Sequence, residues 1–331
     1  MKQIFASILL IITAVAIMTG AIYILSEKRL NSQYDMPVKR IENDKSEPDI
    51  ERGKHLFTSV ALCADCHGEN LSGNILSDDQ TGRITAPNLT RGEGSAVNEY
   101  SETDWIRAVR HGIERDNKSL LKMPSNIYFY LSDKDLLSII KYIESVDPID
   151  NVLPASEMRL PGRFLLVINR PSILTAETIN HYAPRPVPPQ LGITAEYGRY
   201  LAIIGRCLDC HGSDLTGVPK ADFQPESQPA PNISPNGNSK WSDDEFFKIM
   251  REGVRGDGSS VDASMPWRLT AGMTDDELSA LLLYLKTFSE TAPELPDVKT
   301  LEEETIEIEE TEETGKPVKV PELIEIKVSD N

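Results

Sequence analysis

The pentapeptide Cys63-Ala64-Asp65-Cys66-His67 returns 144 residues later as Cys207-Leu208-Asp209-Cys210-His211. A Cys-x-x-Cys-His run is the attachment sequence for c-type haem. One helical turn brings both sulfurs and the imidazole to the same edge and face of a planar group. The thiols then form thioethers to the porphyrin vinyl groups, and the histidine becomes the proximal iron ligand. The chain has 4 cysteines, all of them in these two runs, so none remains for a disulfide framework. A zinc ribbon and a redox dithiol are the competing readings. Zinc needs its two cysteine pairs close together, whereas a domain-length stretch separates these. A dithiol gives no reason for a histidine at the fifth position twice. The pattern predicts two covalently bound haem c groups, on Cys63 and Cys66 and on Cys207 and Cys210, with His67 and His211 on the irons.

The repeat extends well beyond the pentapeptides. Gly53, Leu56, Phe57 and Val60 lead at helical spacing into the first run, as Gly198, Leu201 and Ile204 lead into the second. Ala86-Pro87-Asn88 is answered by Ala230-Pro231-Asn232, Arg110-x-Gly112 by Arg251-x-Gly253, and Met123-Pro124 by Met265-Pro266. Four capping signatures open helices at Ser101, Ser132, Ser242 and Thr274, and the final helix of each unit carries an apolar face. One module is thus duplicated in tandem.

Each iron needs a second axial ligand. Met123 is the only methionine between the first haem motif and the end of the final helix of its module. In the second module Met250 and Met273 read as core, and only Met265 has the Met-Pro context. Met123 and Met265 are therefore the expected distal ligands. His55 reads as solvent-facing and His111 as capping carbonyls at a helix end. His181 lies between the modules, and none of the three is expected to bind iron.

These residues resemble the class I cytochrome c family, specifically tandem dihaem cytochromes of bacterial periplasmic electron-transfer chains, over about 48–292. The resemblance implies an all-α fold of two cytochrome c domains. It implies that the terminal helices cross near a glycine and an aromatic residue, Gly53 with Tyr142 and Gly198 with Tyr284. It also implies that Pro87 and Pro231 offer their carbonyls to the proximal imidazoles. Thr270 stands where the first module has Tyr128, so the packing around the two haems is not expected to be identical.

Outside the modules, Ile4 to Leu25 is apolar and long enough to cross a bilayer. A cleaved signal peptide ending near Ala14-Val15-Ala16 competes with an uncleaved anchor. The apolar run continues past that point, which favours the anchor. The expected organisation is an anchor at 1–25, an extended tether at 26–47, a haem module at 48–147, a proline-rich segment at 148–190, a second haem module at 191–292 and an acidic tail at 293–331. Within the proline-rich segment, Phe164-Leu165-Leu166-Val167-Ile168 is too apolar to be solvated. It reads as packing on a haem domain, with a partner-binding strip as the alternative. The net charge of −18 argues against nucleic acid as a partner. About half of that excess lies after Pro293, in a tail expected to be mostly disordered apart from a short strand over Val318–Val328.

Iron held by His and Met has no open position, so no catalytic residue is expected. The sequence points to a carrier tethered to the cytoplasmic membrane. Its haem domains face the periplasm and pass electrons between redox partner proteins, either freely or as the cytochrome subunit of a dehydrogenase or oxidase complex. A dihaem peroxidase is the alternative.

Overall fold

Residues 2–38, 40–41, 48–168, 173–184, 187, 189–217, 230–238 and 241–288 are described by the computed structural model of the chain, and all of them belong to the unit Met1–Val298. The acidic tail with its expected strand, part of the tether and part of the proline-rich segment lie outside them.

Helix α1 (Lys2–Leu30) is apolar and exposed or half-exposed along its length until Ser26. It is long enough to cross a membrane, and runs five residues past the expected end of the anchor. The stretch after it is no free tether. Tyr34 donates its backbone N–H to the Asn117 carbonyl at 2.8 Å, and Met36 and Ile41 are buried.

The first module opens with α2 (Ile50–His55), capped by the Asp49 carboxylate, which accepts from the N–H groups of Glu51 and Arg52. It continues through a π-type turn, Leu56–Val60, to α3 (Cys63–His67). Strands β1 (Asn74–Asp78) and β2 (Gly82–Ala86) come next, then α4 (Glu102–His111), α5 (Ser125–Tyr128) and α6 (Asp133–Ser145). Between the modules lie β3 (Glu157–Met158), α7 (Leu160–Val167) and a 3-10 turn at Thr175–Thr178. The second module repeats the helices as α8 (Ala195–Ile204), α9 (Cys207–His211), a short α10 (Pro235–Asn238), α11 (Asp243–Glu252), α12 (Trp267–Thr270) and α13 (Asp275–Thr287).

The all-α expectation needs correction. β1 and β2 form an antiparallel hairpin pairing Asn74 with Ala86, bulged between Ile75 and Ser77, and β3 adds to β2 through Gly82↔Met158. The hairpin closes on Asp79, whose carboxylate accepts from the backbone and hydroxyl of Thr81 at 2.7 and 2.6 Å. That side chain-to-backbone turn makes a hairpin of a stretch that reads as glycine-rich loop.

The helices obey the expected caps. Ser101, Ser242 and Thr274 each form a capping box, and Ser132 caps α6 by accepting from the Asp135 N–H. Helix α2 crosses α6, and α8 crosses α13. A Cβ placed on Gly53 would stand 1.9 Å from the Ser138 carbonyl oxygen, and one on Gly198 would stand 2.0 Å from that of Ala280. Tyr142 lies one turn beyond the first crossing, edge-on to Phe57 with ring centroids 5.6 Å apart. Because backbone meets backbone at these points, Gly53→Ala or Gly198→Ala must pry two helices apart. Each is expected to cost roughly 3 kcal/mol or more, overpacking against a part that cannot rotate away. Thermal denaturation followed by circular dichroism checks this. An unchanged melting temperature would mean the crossings can open freely.

The two modules share one apolar core, in which Leu56, Phe57, Leu136 and Ile140 of the first are continuous with Leu201, Ile204, Leu278 and Leu281 of the second. A polar cluster seals the junction. Arg52 donates to Asp135 of its own module at 3.2 Å and to Glu277 and Tyr197 of the other at 2.7 and 3.1 Å. The Nε2–H of His55 donates to Glu277 at 2.7 Å. The Tyr200 hydroxyl donates to Asp135 at 2.6 Å. His55 is therefore a bridge between modules and not the solvent-facing group its sequence context implies.

Candidate functional site: the two haem motifs

Each motif begins at a residue in the left-handed region, Leu62 (φ 55°) and Arg206 (φ 62°). That single residue stops the incoming helix and restarts it as the short helix bearing Cys-x-x-Cys-His. After the motif, Gly73 and Gly217 return to the Ala-Pro-Asn loops and donate to the carbonyls of His67 and His211 at 2.9 and 2.8 Å. A Cβ on Gly73 would meet the Ala86 carbonyl oxygen at 2.6 Å, and one on Gly217 that of Ala230 at 2.4 Å. Both glycines also have positive φ, so only glycine lets the loops approach this closely.

The approach delivers a proline carbonyl to each histidine. His67 Nδ1 lies 3.1 Å from the Pro87 oxygen and His211 Nδ1 lies 2.8 Å from that of Pro231. A carbonyl only accepts, so in both rings Nδ1 carries the proton and Nε2 keeps its lone pair. Burial pushes both imidazoles down in pKa, against the pull of the proline carbonyl. Neutral rings result, in the tautomer that offers Nε2 to a metal.

No disulfide joins Cys63 to Cys66 or Cys207 to Cys210. Burial pushes Cys63 and Cys207 up to about 12 and also raises Cys66 and Cys210, so they are not the low-pKa thiolates of a redox dithiol. The Arg206 guanidinium pulls the other way on both Cys63 and Cys66. A cation that opens the second motif therefore acts on the first, bringing the attachment segments of the two modules within one another's field. Its own side chain is held by Asp209 at 3.1 Å.

Met123 and Met265 are partly buried at the margin of the core. Each precedes a proline with nearly the same backbone, φ −78° and ψ 54° at Pro124 against φ −79° and ψ 45° at Pro266, and then a single helical turn. Their surroundings differ. The Met123 carbonyl accepts from the Thr175 hydroxyl at 2.6 Å, and the Lys122 N–H donates to Ile173 at 2.8 Å. The segment between the modules thus clamps the first methionine loop. Nothing in the spacing of the repeats announced Thr175, which lies outside both of them.

The Arg-x-Gly pairs are structural. Arg110 is buried and donates to Asp133 and the Leu131 carbonyl at 2.8 and 2.7 Å. Arg251 donates to Ala271, Met273 and Asp275 at 2.7, 2.9 and 2.6 Å. Each ties the end of a middle helix, α4 or α11, to the start of the final helix of its module, α6 or α13. Tyr128 donates to the Ala61 carbonyl at 2.6 Å, just ahead of Cys63, while Thr270 reaches the Met250 carbonyl at 3.3 Å. The packing around the two motifs differs, as that substitution implied.

His111 does not cap its helix. Its Nδ1 lies 3.2 Å from Nδ1 of His181, so one ring donates and the other accepts. Burial, with His181 and two arginines nearby, takes His111 down to about 3, and burial also lowers His181. The pair is neutral at physiological pH and fastens the inter-module segment to α4.

Residues 48–143 match the family model described as cytochrome c oxidase, cbb3-type, subunit III, and residues 195–289 match cytochrome c. The chain is a c-type cytochrome of an electron-transfer chain, with two cytochrome c family domains. Cytochrome c domains are electron-carrying units, and the two of this chain imply covalently bound haem c.

Among its relatives, the fructose dehydrogenase cytochrome subunit of Gluconobacter japonicus is 27% identical over 72% of this chain and 52% of its own length. The cytochrome c subunit of a quinone alcohol dehydrogenase from Gluconacetobacter polyoxogenes is 26% identical over 71% and 55%. The gluconate 2-dehydrogenase cytochrome c subunit of Pantoea cypripedii is 26% identical over 72% of this chain and 59% of its own length. The chain thus spans little more than half the length of each of these relatives.

Proposed function

We propose that the chain is a membrane-tethered dihaem carrier serving as the cytochrome subunit of a dehydrogenase complex. In this reading the module at 48–147 holds one haem c on Cys63 and Cys66, with His67 and Met123 as axial ligands. The module at 191–292 holds the other on Cys207 and Cys210, with His211 and Met265. The observation that carries the reading is the duplicated bond from Nδ1–H to a proline carbonyl, which leaves two matched Nε2 lone pairs beside two matched cysteine pairs.

Bound haem c supplies one reversible electron per iron. The chain's own residues do the rest. Pro87 and Pro231 fix the imidazole rings and raise their basicity. The methionine loops, locked by Pro124 and Pro266, present soft sulfur ligands that favour the reduced state. If His67 with Met123 and His211 with Met265 held the irons, no position would be left open to peroxide, which favours a carrier over a peroxidase. The relatives named as cytochrome subunits of fructose and alcohol dehydrogenases support a catalytic subunit as the electron donor. Helix α1 serves as the anchor, with the modules on the periplasmic side, where haem c is attached.

A pyridine haemochrome assay against protein mass is the direct test, and two haems per chain are expected. A stoichiometry of one, or haem lost to acid acetone, would overturn the reading.

A further inference from the structure

Helix α7 turns an apolar stripe outward. Leu160, Phe164 and Ile168 recur every four residues and are 45%, 47% and 51% exposed, while Gly162 and Leu166 on the opposite side are buried. Three large side chains on one helical face form a continuous patch, and no charge interrupts it. The sequence alternatives for this run were packing on a haem domain or binding a partner. Leu166 does pack inward, but the stripe itself has no cover among the described residues.

The position of α7 says what the stripe meets. The helix lies against the last turns of α1. The Arg163 guanidinium sits over the Tyr23 ring, 4.2 Å from its centroid, and donates to Ser26 and Glu27 at 2.9 and 2.8 Å. Arg29 donates to the Leu166 carbonyl and pairs with Glu177. In α1 the apolar run ends at Leu25, and from Ile4 to Leu25 it measures about 33 Å at the usual helical rise, close to the thickness of a bilayer's hydrocarbon core. Tyr23 to Glu27 therefore falls at the membrane surface, where aromatic rings and arginines concentrate. An apolar stripe held at that level is continuous with the lipid-facing surface of α1.

We propose that the Leu160–Phe164–Ile168 stripe of α7 lies against the lipid bilayer beside α1 and holds the first haem module to the membrane surface. This rests on α1 being a retained anchor. Two contacts in place of one fix the module's orientation. A single span followed by a free tether would let it swing.

The test introduces single cysteines, Phe164→Cys, Ile168→Cys and, as an aqueous reference, Val152→Cys, which replaces a residue 68% exposed at the start of the segment between the modules. In the haem-loaded full chain the native cysteines are thioethers, so only the new thiol reacts. The chain in phospholipid nanodiscs is treated with a membrane-impermeant maleimide and labelling is followed by mass. Positions 164 and 168 should label about tenfold more slowly than 152, because the thiolate does not form in lipid. Retention of the chain after a carbonate wash is measured in parallel. Retention with equal labelling at all three positions would overturn the stripe's role and leave the anchor standing, whereas a chain that washes off would overturn both. Fast labelling in nanodiscs that becomes slow only in native membranes would assign the stripe to a protein partner and overturn the lipid assignment.

Discussion

Met123→Ala is expected to remove one of two weak sulfur-to-iron bands in the far red. It should lower one of the two midpoint potentials by about 0.1–0.3 V, a part of the roughly 0.8 V that axial ligation spans. Thioether sulfur is a weak, soft donor that stabilises the ferrous state, so losing it favours the ferric one. Met265→Ala should remove the other band. The matched Met-Pro turns make the two effects parallel in kind. They need not be equal, since Thr175 and Ile173 clamp only the Met123 loop. Either variant should also bind carbon monoxide at the altered haem, which the wild type should barely do at neutral pH. An unchanged far-red spectrum in either variant would mean that some other side chain holds that iron.

Glu277→Gln is expected to loosen the junction between the modules. Burial would raise this carboxyl, but the Nε2–H of His55, the Thr274 N–H and the Arg52 guanidinium outweigh it and hold it down to about 2, against an ordinary value of 4.5. A carboxylate depressed on folding contributes stability that is fully present above its ordinary value and is lost as pH falls through the folded one. The junction should therefore weaken between about pH 4.5 and 2, by roughly 3 kcal/mol in all. At neutral pH the variant should already lack that amount. The difference between the two proteins should then shrink as acid removes the same charge from the wild type. Denaturant melts of both at neutral and acid pH measure it, and a difference that stays constant with pH would show that Glu277 carries no such linkage.

Arg52 is the harder group to anticipate from the chain alone. It sits in α2 with the spacing of any surface arginine, yet it joins Asp135, Tyr197 and Glu277, which lie 83, 145 and 225 residues further along the chain. The same holds for the two histidines that met at 3.2 Å from different segments. Their partners lie far off in the chain, so periodicity says nothing about them. The hairpin of β1 and β2 was hidden for another reason. Its strands are short, and the Asp79 turn that closes it depends on a hydrogen bond, not on a hydrophobic pattern.

The sequence by itself determined what is local or repeated. Cys-x-x-Cys-His is a helical turn whose chemistry depends only on its own spacing. The caps at Ser101, Ser242 and Thr274 act over three residues, and Gly53 and Gly198 mark crossings because only a missing side chain permits them. Only the tertiary structure decided how the duplicated units combine. It brought Arg206, which opens the second motif, within electrostatic reach of the cysteines of the first and set Thr175 on the Met123 loop. It also laid the apolar face of α7 alongside α1. These are contacts between segments distant along the chain, and their energy comes from burial and charge in the assembled fold, which no local pattern of residues encodes.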